Sequence, residues 1–259
     1  MTHSTPASIR NKWFSIRELD LDVVFGEKFF YNFSSFLIED LAVFENSVRL
    51  LKENSNQKDG DLSGETFFLI ECAIESMHEF IEDLDFLGKP FDRDGSKQLS
   101  KLSLNKVLQK SISDIENKNL EISRIEIKIS GLDEIICNEF LLNSVIVHLV
   151  SNSLKFSKDK VCLIIDSFAN ELIITVKDSG IGIPENEIKN VFVPFYKGSN
   201  AKRISGKGLG LTIVRKALGY FNGQVLIKSE VLIGTEVKVS IPLKVTLLDN
   251  ISFDTNILL

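Results

Sequence analysis

Residues 178–182 read Asp-Ser-Gly-Ile-Gly and follow directly on Leu172–Lys177, a run that reads as a β-strand. With Lys160–Ser167 before it, that run predicts a hairpin. Three further stretches stand in order around it. Residues 148–156 are His-Leu-Val-Ser-Asn-Ser-Leu-Lys-Phe, inside a helical pattern from Phe140 to Phe156. Residues 192–195 are Phe-Val-Pro-Phe. Residues 206–211, Gly-Lys-Gly-Leu-Gly-Leu, open a helix read over Gly208–Phe221. Gly234-Thr235 precedes a last strand, Thr235–Ile241, which pairs as a hairpin with Gln224–Ser229. Together with a helix from Leu104 to about Leu120 and a strand at Ile125–Ser130, these elements predict helices packed on one face of a mixed sheet, an α+β sandwich.

Each residue type in these stretches has a physical use. A carboxylate at a strand end, Asp178, can accept a hydrogen bond from an exocyclic amine such as that of adenine. Gly180 and Gly182 let the backbone approach a flat ring. Gly206, Gly208 and Gly210 lead into a helix start, where free N–H groups and the helix dipole favour an anion. Asn152 offers a neutral oxygen to Mg²⁺, which takes oxygen ligands and substrate phosphates. Lys155, one turn along, reaches for a phosphate. Each signal alone is weak, since Asp and Gly are ordinary turn residues. Their order and spacing carry the specificity.

The region before residue 90 has a different pattern. Phe30, Phe33, Leu37, Leu41, Phe44, Val48 and Leu51 recur at helical steps over Glu27–Asn54. Phe67, Ile70, Ile74, Met77, Ile81 and Leu84 do so over Glu65–Leu87, in the alternating threes and fours of a coiled-coil seam. The polar stretch between them predicts an antiparallel helical hairpin, which would form a four-helix bundle with a second copy. The alternative is a helical subdomain folded onto the rest of the same chain. Residues 1–24 are a leader, 25–90 the helical dimerisation domain, 100–245 the α/β domain, and 246–259 a tail without assignment.

Composition excludes several classes. The 259-residue chain is 44% hydrophobic and 25% charged, an ordinary globular balance. Its net charge of −6 argues against a nucleic-acid partner. No run approaches the roughly 18 apolar residues of a membrane span, and no secretory signal core is legible, so a cytoplasmic location is expected. Cys72, Cys137 and Cys162 are far apart and predict neither a zinc site nor a disulfide framework.

The stretch from about 100 to 243 resembles the ATP-binding catalytic domain of bacterial sensor histidine kinases, of the Bergerat superfamily shared with gyrase, the MutL repair protein and the ninety-kilodalton chaperone. HLVSNSLKF is similar to that family's asparagine box, DSGIGI to its first glycine box, FVPFYKG to its phenylalanine box, GKGLGL to its second glycine box and GTEVKVSIPL to its closing hairpin. The resemblance implies the Bergerat fold and a site for ATP with Mg²⁺. Asn152 would hold the metal, Asp178 the adenine and Lys155 a phosphate. Gly180, Gly182, Phe195, Gly206, Lys207, Gly208, Leu209, Gly210 and Thr235 would complete the nucleotide site. Tyr196–Lys207 would form a mobile lid, whose Lys197, Lys202, Arg203 and Lys207 either contact phosphates or are a solvated basic loop. His148 stands where most members carry Asn; chemotaxis-type kinases carry His there, which is compatible with phosphoryl transfer.

The phosphoacceptor box departs from the family. Aligning residues 29–41 puts Ser35 at the acceptor histidine and Phe36 at the acidic base. Serine gives a stable ester, not the energy-rich phosphoramidate that passes on to an aspartate. His78, followed by Glu79, is the one histidine left in the hairpin and is either a displaced acceptor or an ordinary half-exposed helical histidine. His3 is incidental. The expected function is therefore a soluble, homodimeric histidine-kinase-type protein that binds ATP and Mg²⁺ and transfers the γ-phosphoryl group in a phosphorelay, with a response regulator or partner kinase downstream. Two alternatives stand: a regulatory pseudokinase that docks such a partner without labelling itself, and a protein serine kinase of the same superfamily.

Overall fold

The computed structural model describes residues 13–16, 41, 42, 44, 46, 48, 49, 62–88 and 99–243. The predicted hairpin's first helix, with Ser35 and Phe36, lies outside them apart from the six helical positions at 41–49, as do His3, most of the leader and the 246–259 tail. The described elements run β1 (Phe14–Ile16), α1 (Leu62–Gly88), β2 (Ser100–Ser103), α2 (Leu104–Glu116), β3 (Ile125–Gly131), β4 (Glu134–Cys137), α3 (Glu139–Phe156), β5 (Val161–Ser167), β6 (Glu171–Asp178), α4 (Gly210–Phe221), β7 (Gln224–Glu230) and β8 (Gly234–Pro242).

Six strands form one sheet in the order β1-β7-β8-β6-β5-β3, and β2 and β4 pair separately. Every neighbouring pair is antiparallel except β3–β5. The chain between β3 and β5 crosses over through α3, as a parallel pair requires. β1 comes from the leader, where no periodicity announced a strand. β2 opens the 100–245 domain, where no strand is expected from the sequence; three or four residues are too few to show a period.

Alternation builds the core. Val161, Leu163 and Ile165 of β5 and Leu172, Ile174 and Val176 of β6 are buried beneath the helices. α3 covers β5 and β6, α4 covers β7 and β8, and α2 packs on α3. Side chains fix the helix starts. Asn138 Oδ1 accepts from Leu141 N at 3.0 Å to cap α3. Asp133 ties β2 to α2 by accepting from Ser103 Oγ at 2.9 Å and Asn105 N at 3.0 Å.

α1 packs on this domain with a face that differs from the expected seam. Ala73, Phe80, Phe86 and Leu87 are buried, whereas the seam residues Ile74 and Ile81 are exposed. At 100° per residue Ile74 and Ile81 lie about a quarter turn from Ala73 and Phe80, while Leu84 of the expected seam packs against the core. One face of α1 is therefore committed within the chain, and among the described residues Ile74 and Ile81 are left exposed. The Lys216 Nζ of α4 closes the helix end, donating to the carbonyls of Phe86 at 3.0 Å and Leu87 at 2.5 Å. Burial pushes that ammonium down to about 8.

Candidate functional site

The strand period that buries Leu172, Ile174 and Val176 also directs Asp178 inward, so its carboxylate lies beneath the helices at the end of β6. Three donors hold it. Asp178 Oδ1 accepts from Gly180 N at 2.9 Å and Thr235 N at 3.2 Å; Oδ2 accepts from Ser153 Oγ at 3.0 Å. Burial raises its pKa, and the three hydrogen bonds pull the other way. A carboxylate offers about four acceptor positions, so Oδ2 can take one further donor.

The glycines shape the space beside it. A Cβ on Gly180 would stand 2.2 Å from the Phe156 carbonyl oxygen, so a side chain there would collide with the end of α3. Gly182, at φ +64°, lies so close to Glu230 that a Cβ would come within 2.0 Å of its carbonyl oxygen. Thr235 is fixed by its backbone bond to Asp178 and by a 2.8 Å contact between its hydroxyl and Ser229 Oγ.

α3 aligns the second group of side chains. His148, Asn152 and Lys155 are spaced four and three apart and share one face. Asn152 and His148 meet the start of α4. A Cβ on Gly210 would lie 3.2 Å from Asn152 Nδ2 and 3.4 Å from His148 Nδ1. Leu209 is buried just before it. Gly206 and Gly208 carry the chain into α4, and Gly208 O accepts from Phe195 N at 3.0 Å. Residues 148–152, Phe195 and the glycine-rich stretch 206–210 thus converge at one helix start. Asn152 supplies a neutral oxygen there. Among the described residues no group of three or more His, Cys, Asp or Glu could hold a metal by itself. The donor set suits a Mg²⁺ that brings phosphate oxygens with it.

The segment 196–207 is tied down at several points. Ser199 N donates to Glu187 Oε2 at 2.9 Å, Asn200 Nδ2 to Gly182 O at 2.9 Å, and Lys197 Nζ to Ile204 O at 2.5 Å.

α1 lies across the rim of this site. Lys207 Nζ donates to Ser76 Oγ at 2.8 Å and to the Ser76 carbonyl, and lies 4.8 Å from the centre of the Phe80 ring. The fully buried Phe80 meets Phe195 edge to face at 6.3 Å. Lys118 Nζ pairs with Glu79 at 2.9 Å. His148 Nε2 stands 3.7 Å from Asp83 Oδ1. Burial drives these last two apart from their usual values: Asp83 rises to about 7, with Glu79 adding to the rise and Lys118, Lys155 and Lys207 opposing it, and His148 falls to about 3. The imidazole is therefore neutral at physiological pH. His78 points elsewhere. Its side chain is 73% exposed and lies 3.3 Å from Glu82.

The structure thus gathers Asn152, Lys155, His148, Asp178, Gly180, Gly182, Thr235, Phe195 and residues 206–210 around one site, with Lys207 engaged by α1 and His78 outside. Reading the sequence missed Ser153, although it directly follows Asn152. It also missed Ser76, Phe80 and Asp83, whose stripe has no motif.

Residues 137–245 match the family described as histidine kinase-, DNA gyrase B-, and HSP90-like ATPase. The phytochrome-like protein Cph1 of Synechocystis sp. is 26% identical over 207 residues, covering 78% of this chain and 27% of its own. The methanogenesis regulatory histidine kinase FilI of Methanothrix harundinacea is 25% identical over 211 residues, 79% of this chain and 23% of its own. The sensor histidine kinase RcsC of Escherichia coli K12 is 38% identical over 93 residues, 34% of this chain and 10% of its own. The chain therefore spans about a quarter or less of the length of these relatives. The Acinetobacter baumannii histidine kinase AdeS shares the fold, with a TM-score of 0.58 at 15% identity over 80% of this chain and 97% of that one. So does full-length ShkA in complex with AMPPNP, with a TM-score of 0.57 at 16% identity over 82% and 46%.

Proposed function

We propose that the chain, whose residues 137–245 match the histidine kinase-, DNA gyrase B-, and HSP90-like ATPase family, binds ATP with Mg²⁺ and transfers its γ-phosphoryl group in a signalling phosphorelay. The observation that carries this reading is the buried Asp178, held by Ser153, Gly180 and Thr235 with one acceptor position to spare. Asp178 receives the adenine amine, and Gly180 and Gly182 admit the ring. Asn152 would hold Mg²⁺, which would supply charge neutralisation for the phosphates. Lys155 and the N–H groups entering α4 attract the phosphates. Catalysis rests on positioning and electrostatics. In the transfer a neutral imidazole nitrogen takes the γ-phosphorus, the bond to the ADP oxygen breaks, and the imidazole proton leaves to a base. The protein acts as a homodimer through the hairpin, using the α1 face that carries Ile74 and Ile81, and hands the phosphoryl group to a response regulator or partner kinase.

A second reading is favoured by His78. Its solvent-facing position, away from Lys207, suits a regulatory protein that binds ATP and docks a partner without labelling itself.

Incubation of the full chain with γ-labelled ATP and Mg²⁺, followed by acid and alkali, tests both. Acid-labile, alkali-stable label that disappears in His78→Ala supports the kinase with His78 as acceptor. Bound nucleotide with no label supports the regulatory reading. Acid-stable label would contradict both and indicate a serine kinase.

A further inference from the structure

Ser153 stands inside α3 and is buried, at 6% exposure. Its neighbours Leu149, Val150 and Leu154 are buried as well. A serine is a costly choice at such a position. It forms helix less readily than alanine, and a buried hydroxyl without a partner loses its hydrogen bonds to water. Two other helical serines meet that cost locally. Ser111 Oγ donates to the Val107 carbonyl at 2.9 Å and Ser144 Oγ to the Phe140 carbonyl at 2.9 Å, each one turn back along its own helix. Ser153 Oγ instead leaves its helix and donates to Asp178 Oδ2 at 3.0 Å, at the end of β6.

The donors to Asp178 divide unequally between its two oxygens. Gly180 N and Thr235 N both reach Oδ1, at 2.9 Å and 3.2 Å. Both are backbone groups, placed by the fold itself. Oδ2 has Ser153 as its one donor among the described residues, and Oδ2 is the oxygen with an acceptor position to spare. The hydroxyl therefore governs the atom left open to a ligand. It also favours the ionised form. Burial raises the Asp178 carboxyl, and the bonds from Gly180, Ser153 and Thr235 oppose that rise. A carboxylate only accepts, whereas its protonated form carries an O–H donor.

We propose that Ser153 is a positioning residue for the nucleobase: its hydroxyl aims Asp178 Oδ2 at the exocyclic amine, and through it the site tells a purine that carries the amine from one that lacks it. This rests on the assignment of Asp178 to the adenine amine and adds the side chain on which that selectivity depends. A carboxylate held at Oδ1 alone can tilt, and a hydrogen bond weakens steeply once donor and acceptor leave the line between them. Alanine at 153 keeps α3 intact, being the better helix former, so Asn152 and Lys155 stay in place and the loss falls on the amine.

Calorimetric titration of the full chain with Mg²⁺ and either ADP or purine riboside diphosphate, which is ADP without the exocyclic amine, tests this. The unaltered chain should prefer ADP by about 10- to 100-fold, the range of one hydrogen bond to a charged group. Ser153→Ala should bind ADP about tenfold more weakly and the amine-free nucleotide within about twofold of the unaltered chain, with the unfolding temperature as a control on the fold. Ser153→Cys keeps the shape and a weaker donor, and should fall between the two. Equal weakening toward both nucleotides would mean that Ser153 only packs α3. Unchanged ADP affinity in Ser153→Ala would mean that Gly180 and Thr235 suffice. Either result overturns the proposal and leaves the ATP assignment standing. Failure of the unaltered chain to bind either nucleotide, or to prefer ADP, would overturn the assignment of Asp178 together with the proposal.

Discussion

The carboxylate of Asp83 makes the seating of α1 depend on pH. In the docked arrangement burial holds it at about 7, against 3.8 for the free group. Its side chain is 22% exposed, so it is screened little. The docked state thus binds a proton more readily than the undocked one. By linkage its stability is greatest below pH 3.8 and is lost as pH rises through about 7. Between pH 6 and pH 8 that loss is about 1.4 kcal/mol, or about tenfold in the undocking equilibrium. His148 acts in the opposite sense. Its depressed value penalises docking as pH falls below 6.5. A histidine wholly released on undocking would cancel about 0.8 kcal/mol over the same window. The Asp83→Asn variant separates the two, because it keeps the histidine and removes the carboxylate. Hydrogen exchange over residues 76–86, corrected for intrinsic rates, reads the undocking constant. From pH 6 to pH 8 that constant should rise about tenfold more in the unaltered chain than in Asp83→Asn. Parallel pH profiles for the two proteins would refute the argument and mean that Asp83 keeps an ordinary carboxylate value against His148.

Three other outcomes are expected. Asp178→Ala removes the amine acceptor and should weaken binding of an ATP analogue by about 10- to 100-fold, the range of one hydrogen bond to a charged group, measured by calorimetry with the unfolding temperature as a control on the fold. Gly180→Ala drives a methyl into the Phe156 carbonyl and should cost about 1–3 kcal/mol of stability in denaturant titration while abolishing nucleotide binding. Phe80→Ala empties a fully buried site between Phe195 and Lys207 and should weaken α1 docking by about 3 kcal/mol or more, seen as faster exchange over α1 with unchanged exchange in β6.

The α/β domain was legible because its signals are local. β5 and β6 alternate strictly, and the same alternation that marks Leu172, Ile174 and Val176 as core carries on to Asp178. Gly180 and Gly182 were read as room for a flat ring; the close approaches found there are to the chain's own Phe156 and Glu230 carbonyls, a packing requirement that the sequence did not disclose. The contact between α1 and the candidate site was not legible. Ser76, Phe80 and Asp83 recur at helical spacing, but a helix with two usable faces does not say which face meets which partner. The expected seam is the stronger periodic signal, yet it splits: Ile74 and Ile81 are exposed and Leu84 packs against the core. Lys207 illustrates the same limit. Its place in a glycine box points to phosphate, whereas in this arrangement its ammonium is taken by Ser76 and faces the Phe80 ring. Short strands such as β1 and β2 hold too few residues to reveal a period.

Calorimetric titration of the full chain with a non-hydrolysable ATP analogue and Mg²⁺, beside Asp178→Ala, bears most directly on the central claim. Saturable one-to-one binding that weakens by about 10- to 100-fold in the variant is the predicted result. No binding by the unaltered chain, or equal binding by both proteins, would contradict the assignment of this site to ATP.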